Sequence, residues 1–70
     1  MRKINNTSIE NRALAVPPFI SYRYKVKTGF IMIAGLNIQD ALSEANRSLS
    51  YGVAVSANLE VWHKGAYKPV

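Results

Sequence analysis

Apolar and polar residues alternate along residues 19–28, and this alternation predicts a half-buried strand. One face carries Ile20, Tyr22, Tyr24 and Val26, and the other carries Ser21, Arg23, Lys25 and Lys27. Gly29 is a natural position for a turn or bulge. The apolar run at residues 30–33 is therefore predicted to return as a second strand against the first.

Residues 38–49 carry the helix signals of the chain. Their apolar members recur at helical spacing and are assigned to the core: Ile38, Ala41, Leu42, Ala45 and Leu49. Asn37 is the predicted N-cap, with Asp40 three residues later, near the positive end of the helix dipole. Leu36 is placed to act as a hydrophobic staple against Ala41, and Gly52 is predicted as a left-handed cap residue just past the helix.

Residues 53–61 allow two interpretations. As a strand, they place five residues on one face: Val53, Val55, Ala57, Leu59 and Val61. As a helix, they continue a line of residues at a spacing of four from Leu49, but Val55 and Leu59 fall outside that line. The valines and the break at Gly52 favour the strand.

Lys64 and Gly65 then form a predicted tight turn before a short last strand or tail at residues 66–70. The predicted fold is α+β, with the order β-β-α-β and an optional fourth strand. In this fold one amphipathic helix packs on one face of a small antiparallel sheet.

The first sixteen residues are mostly polar and are predicted to form a loosely ordered arm, with a short helix at residues 8–15 as the alternative. Pro17 and Pro18 end any such helix. Residues 17–70 are predicted to form a single domain, because a chain of 70 residues is close to the lower limit for independent folding. The chain has no cysteine, so neither a disulfide nor a thiolate metal site supplements its core.

Charge and the start of the chain bear on location and partners. Nine Lys and Arg against four Asp and Glu give a net charge of +5, which favours approach to nucleic acid or to an acidic protein surface, or serves solubility alone. The basic start is followed by polar residues rather than by the apolar run of a signal peptide. The longest nearly apolar stretch, residues 29–36, is too short to span a bilayer. A cytoplasmic location in a host cell and no membrane partner are expected.

Groups for catalysis are few. The chain has one histidine, His63, and one aspartate, Asp40, and no nucleophile motif places a serine beside them. Asp40 and Glu44 share a helix face but lack a third ligand for a metal, and the four glycines form no phosphate-binding loop. We therefore expect a binding protein that is not an enzyme and has no cofactor or metal.

The first candidate binding surface is the basic side of the first strand. Arg23, Lys25 and Lys27 are predicted to point away from the helix at intervals of about 7 Å, comparable to the spacing of phosphates along a single strand of nucleic acid. The alternative is that these cations protect an edge strand from aggregation. Tyr22 and Tyr24 are predicted on the opposite face, which counts against base stacking beside the cations.

The second candidate surface surrounds the only tryptophan. An exposed Trp62 beside His63, Lys64 and Tyr67 resembles a protein-binding hot spot. The alternative is that Trp62 covers one end of the core.

A strand, a capped helix reading NIQDALSEA at residues 37–45, a glycine and a valine-rich strand ending near Trp62 resemble several small phage-encoded inhibitors. The chain is similar to some type I-F anti-CRISPR proteins, in which such a helix precedes a strand and a Trp-containing hairpin, and more loosely to the phage inhibitor of bacterial RNA polymerase. The D-A-L-x-x-A helix also occurs in HicB-type antitoxins. The resemblance covers residues 22–67 and lies in architecture and helix pattern, so it transfers no functional residue.

The resemblance and the basic strand lead to one functional expectation. The chain is expected to be a phage or mobile-element protein that binds a host protein or ribonucleoprotein complex acting on nucleic acid, such as a CRISPR surveillance complex, and blocks it sterically. Its expected contacts are Arg23, Lys25, Lys27, Trp62, His63 and Lys64. The alternative is a regulator that binds nucleic acid directly, as a monomer or a homodimer.

Overall fold

The structure is a computed structural model that describes residues 13–70. Its elements are β1 (Ile20–Val26), β2 (Gly29–Gly35), α1 (Ile38–Ser48), a turn of 3-10 helix (Ser56–Asn58), β3 (Leu59–His63) and β4 (Ala66–Pro69). The strands form one four-stranded antiparallel sheet in the order β2-β1-β3-β4, and α1 packs on one face of it. The predicted α+β fold is confirmed, and the optional fourth strand is present.

β1, the basic strand, lies inside the sheet. It pairs with β2 on one side and with β3 on the other, so that β2 and β4 are the edge strands. The alternative role of its cations as protection of an edge strand is therefore wrong.

The core lies between α1 and the sheet. Its buried hydrophobic residues are Tyr22, Tyr24, Ile33, Ala41, Ala45, Ala54 and Leu59. The small side chains of Ala41 and Ala45 let the helix approach the sheet closely, and both residues are fully buried. A Cβ atom added at Gly35 would lie 3.0 Å from the backbone nitrogen of Ala41, so a larger residue there would push β2 and the start of the helix slightly apart.

The start of α1 confirms the predicted cap. The Asp40 backbone N–H donates to the Asn37 side-chain oxygen at 2.8 Å, and the Leu36 backbone N–H donates to the Asp40 carboxylate at 2.8 Å. Leu36 is 53% exposed, and Ile38, predicted to be a core residue, is 44% exposed because it lies in the first turn, just past the end of the sheet at Gly35.

The end of α1 differs from the prediction. The helix ends at Ser48, and Leu49 caps it in an extended conformation while its N–H donates to the carbonyls of Ala45 and Asn46. Gly52 has φ +91°, but it lies in a bend three residues past that cap. The prediction of Gly52 as the helix cap is therefore wrong, although a left-handed glycine is needed in the bend.

The strand predicted over residues 53–61 begins only at Leu59. Ala54 N–H donates to the Asn46 side-chain oxygen at 2.6 Å, and Val55 N–H donates to the Tyr24 hydroxyl at 2.9 Å. These backbone donors are thus bound to side chains of α1 and β1 instead of to a neighbouring strand. Residues 53–55 consequently cross the end of the core without regular structure, and Val53 and Val55 are exposed.

The predicted arm at residues 1–16 is described only in its last four residues, and residues 1–12 lie outside the described part of the chain. The backbone N–H groups of Leu14 and Ala15 donate to the Ser21 hydroxyl at 3.0 Å and 2.7 Å. A turn with a cis bond between Pro17 and Pro18 then leads into β1. The alternative helix at residues 8–15 lies mostly outside the described residues, and its last three, 13–15, are not helical.

Within residues 13–70, no helix is long and apolar enough to cross a membrane.

Candidate binding surface on the open face of the sheet

The face of the sheet opposite α1, here called the open face, is the candidate binding surface. Because side chains alternate along each strand, the pairing register assigns a fixed set of residues to this face. They are Ser21, Arg23, Lys25, Phe30, Met32, Ala34, Glu60, Trp62, Tyr67 and Pro69. The described segment 13–16 approaches this face at its Ser21 end.

Arg23 lies at the centre of the open face. Its side-chain Nε donates to the Glu60 carboxylate at 2.5 Å, and its guanidinium carbon lies 4.0 Å from the Phe30 ring centroid and 4.7 Å from that of Tyr67. The side chain is only 15% exposed. Arg23 points away from the helix, as predicted, but the strands on both sides of β1 supply partners for its side chain.

Trp62 and Tyr67 face each other across the β3–β4 hairpin. Their rings meet edge to face, with centroids 5.1 Å apart and an interplanar angle of 72°, and both side chains are half-buried. Burial raises the pKa of the Tyr67 hydroxyl above its ordinary value of 10.0, while the charge of Arg23 and a hydrogen bond with Ser21 act in the opposite direction. The Ser21 hydroxyl therefore links Tyr67 to the segment 13–16.

The remaining cations lie around this cluster. Lys25 is exposed on the open face, directly opposite Phe30, and Lys27 lies in the turn after β1. A shallow groove of about 550 Å³ at that end of the sheet is lined by Tyr24, Lys25, Val26, Lys27, Leu49 and Asn58. The predicted basic residues Lys25 and Lys27 are thus brought to one groove, even though Lys27 is not part of the strand.

The second predicted cluster is divided by the structure. Trp62 belongs to the open face, whereas His63 is exposed on the helix side of β3. Lys64 lies in the β3–β4 turn with φ +50°, at the end of the sheet opposite Lys27. Only Arg23, Lys25 and Trp62 of the six predicted contacts therefore share one face.

Sequence reasoning missed Phe30 and Met32, and it placed Tyr67 beside Trp62 without the contact that Tyr67 makes with Arg23. Tyr22 and Tyr24 do lie on the face opposite the cations, as predicted. The neighbouring strands nevertheless place the rings of Phe30 and Tyr67 beside Arg23, so the position of the tyrosines in β1 does not exclude base stacking. The missing signal was the cross-strand register. A two-residue loop after Val26 pairs Lys25 with Phe30, as the structure shows.

A small cavity of about 170 Å³ lies at the Ser21 end of the open face. Its lining includes Leu14, Ala15, Ser21, Met32, Ala34 and Tyr67. Pockets for small-molecule ligands usually measure roughly 300–1,000 Å³, so this cavity has the size for a single side chain. Within residues 13–70, no group of three His, Cys, Asp or Glu side chains could hold a metal ion.

The open face is therefore a neutral aromatic centre with lysines at its margins. Comparison with known proteins finds no matching family model, no matching curated protein and no matching solved structure.

Proposed function

We propose that this chain is a binding protein that inhibits a host nucleic-acid-handling machine, such as a CRISPR surveillance complex, by steric blocking, and that the open face of the sheet is its contact surface. One observation carries the proposal: Arg23, Trp62 and Tyr67 form a packed cluster on the face that the helix leaves uncovered. The choice of partner class draws on the net charge of +5 and on the resemblance to small phage inhibitors.

The composition of the open face supports protein recognition. Tryptophan, tyrosine and arginine are the residue types enriched at binding hot spots, and hot spots usually lie at the centre of an interface inside a more polar rim. Here the Arg23 charge is balanced by Glu60, so the centre is close to neutral. Lys25 on the open face and Lys27 and Lys64 at the two ends supply a cationic rim suited to an acidic protein surface.

The cluster is also held in place before binding. Phe30 and Tyr67 both contact the Arg23 guanidinium, and Tyr67 contacts the Trp62 ring. A side chain already fixed by its neighbours loses less conformational freedom when a partner binds. This favours recognition by the sheet, while the helix supports the core beneath it.

A second candidate function is direct binding of single-stranded nucleic acid. The observation in its favour is that Lys25 and the Phe30 ring are cross-strand neighbours on the same face. Single-strand binders combine cations for the phosphates with aromatic rings for the bases. The Glu60 carboxylate at the centre is neutralised by Arg23 and so does not by itself repel a phosphate chain.

The first proposal is tested by a pair of charge reversals. Lys25→Glu changes the open face, while Lys68→Glu changes net charge equally on the helix side of β4. In a bacterium whose type I-F CRISPR system targets a plasmid, the unaltered protein should restore transformation by that plasmid. Lys25→Glu should reduce this activity about tenfold, because the reversed charge in the rim would repel an acidic partner surface, and Lys68→Glu should retain it.

Failure of the unaltered protein to restore transformation would reject the CRISPR complex as the target. Equal loss of activity in both variants would reject the open face as the contact surface. Both lysines are exposed, so the two variants should retain the fold, and circular dichroism of each variant checks this.

The second function is tested by fluorescence anisotropy with labelled single-stranded DNA and RNA oligonucleotides. Affinity should fall steeply between about 50 and 200 mM salt, and replacing Lys25 by Gln should reduce the slope of the log–log salt plot by about one. Absent or salt-independent binding would reject this function.

A further inference from the structure

The two edges of the sheet differ in length and chemistry. β2 offers seven residues, GFIMIAG, with neither a charged residue nor a proline. β4 has only four residues, and they include Lys68 and Pro69. Natural proteins protect edge strands with short length, lysine and proline, so β4 has these protections and β2 lacks them.

The hydrogen bonds show which backbone groups of β2 face outward. Val70 N–H donates to the Leu59 carbonyl, so Leu59 directs its backbone groups at β4. Backbone groups alternate in direction along an antiparallel strand, so the N–H and C=O groups of Glu60 point towards β1. Arg23 lies opposite Glu60, so its backbone groups point towards β3. The backbone N–H and C=O groups of Tyr22 and Tyr24 then point towards β2.

Ile31 and Ile33 of β2 lie opposite Tyr24 and Tyr22, so their backbone N–H and C=O groups point towards β1. The N–H and C=O groups of Phe30, Met32 and Ala34 therefore point away from the sheet. At the β4 edge, the same alternation directs the backbone of Pro69 away from the sheet, and proline has no N–H that could bind a further strand.

We propose that β2 pairs with β2 of a second copy of this chain, antiparallel and about a two-fold axis at Met32, so that two four-stranded sheets join into one. An axis at the middle residue gives the longest overlap of the two strands. It also places outward-pointing residues opposite each other, as an antiparallel ladder requires. Because a two-fold axis uses the same surface on both subunits, the pairing closes at a dimer.

The side chains of β2 are self-complementary in this register. Phe30 lies opposite Ala34 of the second copy on the open face, so a large side chain meets a small one. Ile31 lies opposite Ile33 of the second copy on the helix side, and Met32 meets Met32 of the second copy at the axis. Pairs of β-branched side chains stabilise antiparallel strands, and no charges are brought together within the paired strands.

The dimer would place two open faces side by side on one continuous sheet. The inference stands on the edge geometry and does not depend on the proposed function.

The first experiment measures mass in solution. Sedimentation velocity of the full chain from about 1 µM to about 1 mM should show a species of twice the 7.8 kDa chain mass. Met32→Pro removes an outward N–H but no hydrogen bond to β1, and it should give a monomer. A monomeric unaltered chain over the whole range, or a dimer that persists in Met32→Pro, would overturn the proposal.

The second experiment uses cross-linking and keeps the test valid if the proline variant does not fold. The chain has no cysteine, so Met32→Cys introduces a single thiol. Across the axis, the two Cα atoms would be about 5.5 Å apart, within the range of a disulfide, and mild oxidation should give a covalent dimer. The control, Ala66→Cys on the β4 edge, should remain largely monomeric.

Equal cross-linking of Met32→Cys and Ala66→Cys would overturn the proposal. So would slow hydrogen exchange of the Met32 and Ala34 amides in a monomeric chain, because that result would assign the β2 edge to another segment of the same molecule.

Discussion

At the residue scale, Arg23 shows how a surface prediction changes when neighbouring strands are added. Alternation along β1 correctly places Arg23 on the face opposite the tyrosines. The strand pattern alone does not reveal that Glu60 and Tyr67, far along the chain, converge on its guanidinium. The outward-pointing Arg23 is therefore a fixed part of the aromatic cluster.

We predict that Arg23→Ala lowers the free energy of unfolding by about 2 kcal/mol. The substitution removes two ring contacts and leaves the half-buried Glu60 carboxylate without its partner. Urea unfolding followed by circular dichroism measures the change.

The matched control is Arg47→Ala, whose ion pair with Glu44 lies within α1 and leaves the Arg47 side chain 74% exposed. It should cost less than about 0.5 kcal/mol. Equal stability of the two variants would contradict the structural role given to Arg23.

We predict a loss of stability at alkaline pH that involves Tyr67. Burial raises the pKa of its hydroxyl in the folded state, so the folded state favours the neutral form. This contribution is fully present below the unfolded pKa of about 10 and is lost as the pH rises through the higher folded pKa. Denaturant unfolding between about pH 8 and pH 11 should show a smaller decline in Tyr67→Phe than in the unaltered chain. An identical decline would count against burial of this hydroxyl.

Tyr22 provides a second alkaline-sensitive group. Burial raises the pKa of its hydroxyl, and the nearby Asp40 carboxylate adds to this effect. Some pH dependence should therefore remain in Tyr67→Phe.

At the element scale, structure was predictable where its signals are local. The Asn37 cap, the position of Asp40 and the stripe through Ala41 and Ala45 all lie within a few residues of one another, and the structure contains them. Residues 53–55 were not predictable in this way, because the N–H groups of Ala54 and Val55 donate to the side chains of Asn46 and Tyr24. The alternating apolar residues of this segment therefore resembled a strand, although its backbone binds side chains from other parts of the chain.

The set of residues on the open face was also not predictable from local signals. Each strand contributes two or three of its residues, and only the register between strands combines them. Arg23, Lys25 and Trp62 were predicted as contacts, whereas the position of Phe30 and the contact of Tyr67 with Arg23 required the pairing of the strands.

We predict that Asn37→Ala destabilises the protein by about 1 kcal/mol, because the Asp40 backbone N–H loses its acceptor at the start of α1. Asn37→Asp retains an acceptor and should change stability by less than half as much. Thermal unfolding of the two variants measures the difference. A neutral Asn37→Ala would show that the cap contributes nothing to stability.

At the scale of the whole molecule, the two faces of the sheet differ in composition. Its helix side forms the core with α1, and its open face carries the aromatic and cationic cluster. The uncharged β2 edge lies between these faces and offers a route to a dimer. We propose the open face for recognition, and the helix side forms the core that maintains the fold.

The central claim is that the open face is the recognition surface, and site-specific photo-cross-linking in cells tests it most directly. A photoreactive phenylalanine derivative replaces Lys25 on the open face or Gln39 on the exposed side of α1, in a bacterium carrying a type I-F CRISPR system. We predict a covalent adduct from position 25 with a component of the CRISPR complex, identified by mass spectrometry, and none from position 39. Adducts from position 39 alone, or equally from both positions, would contradict the claim.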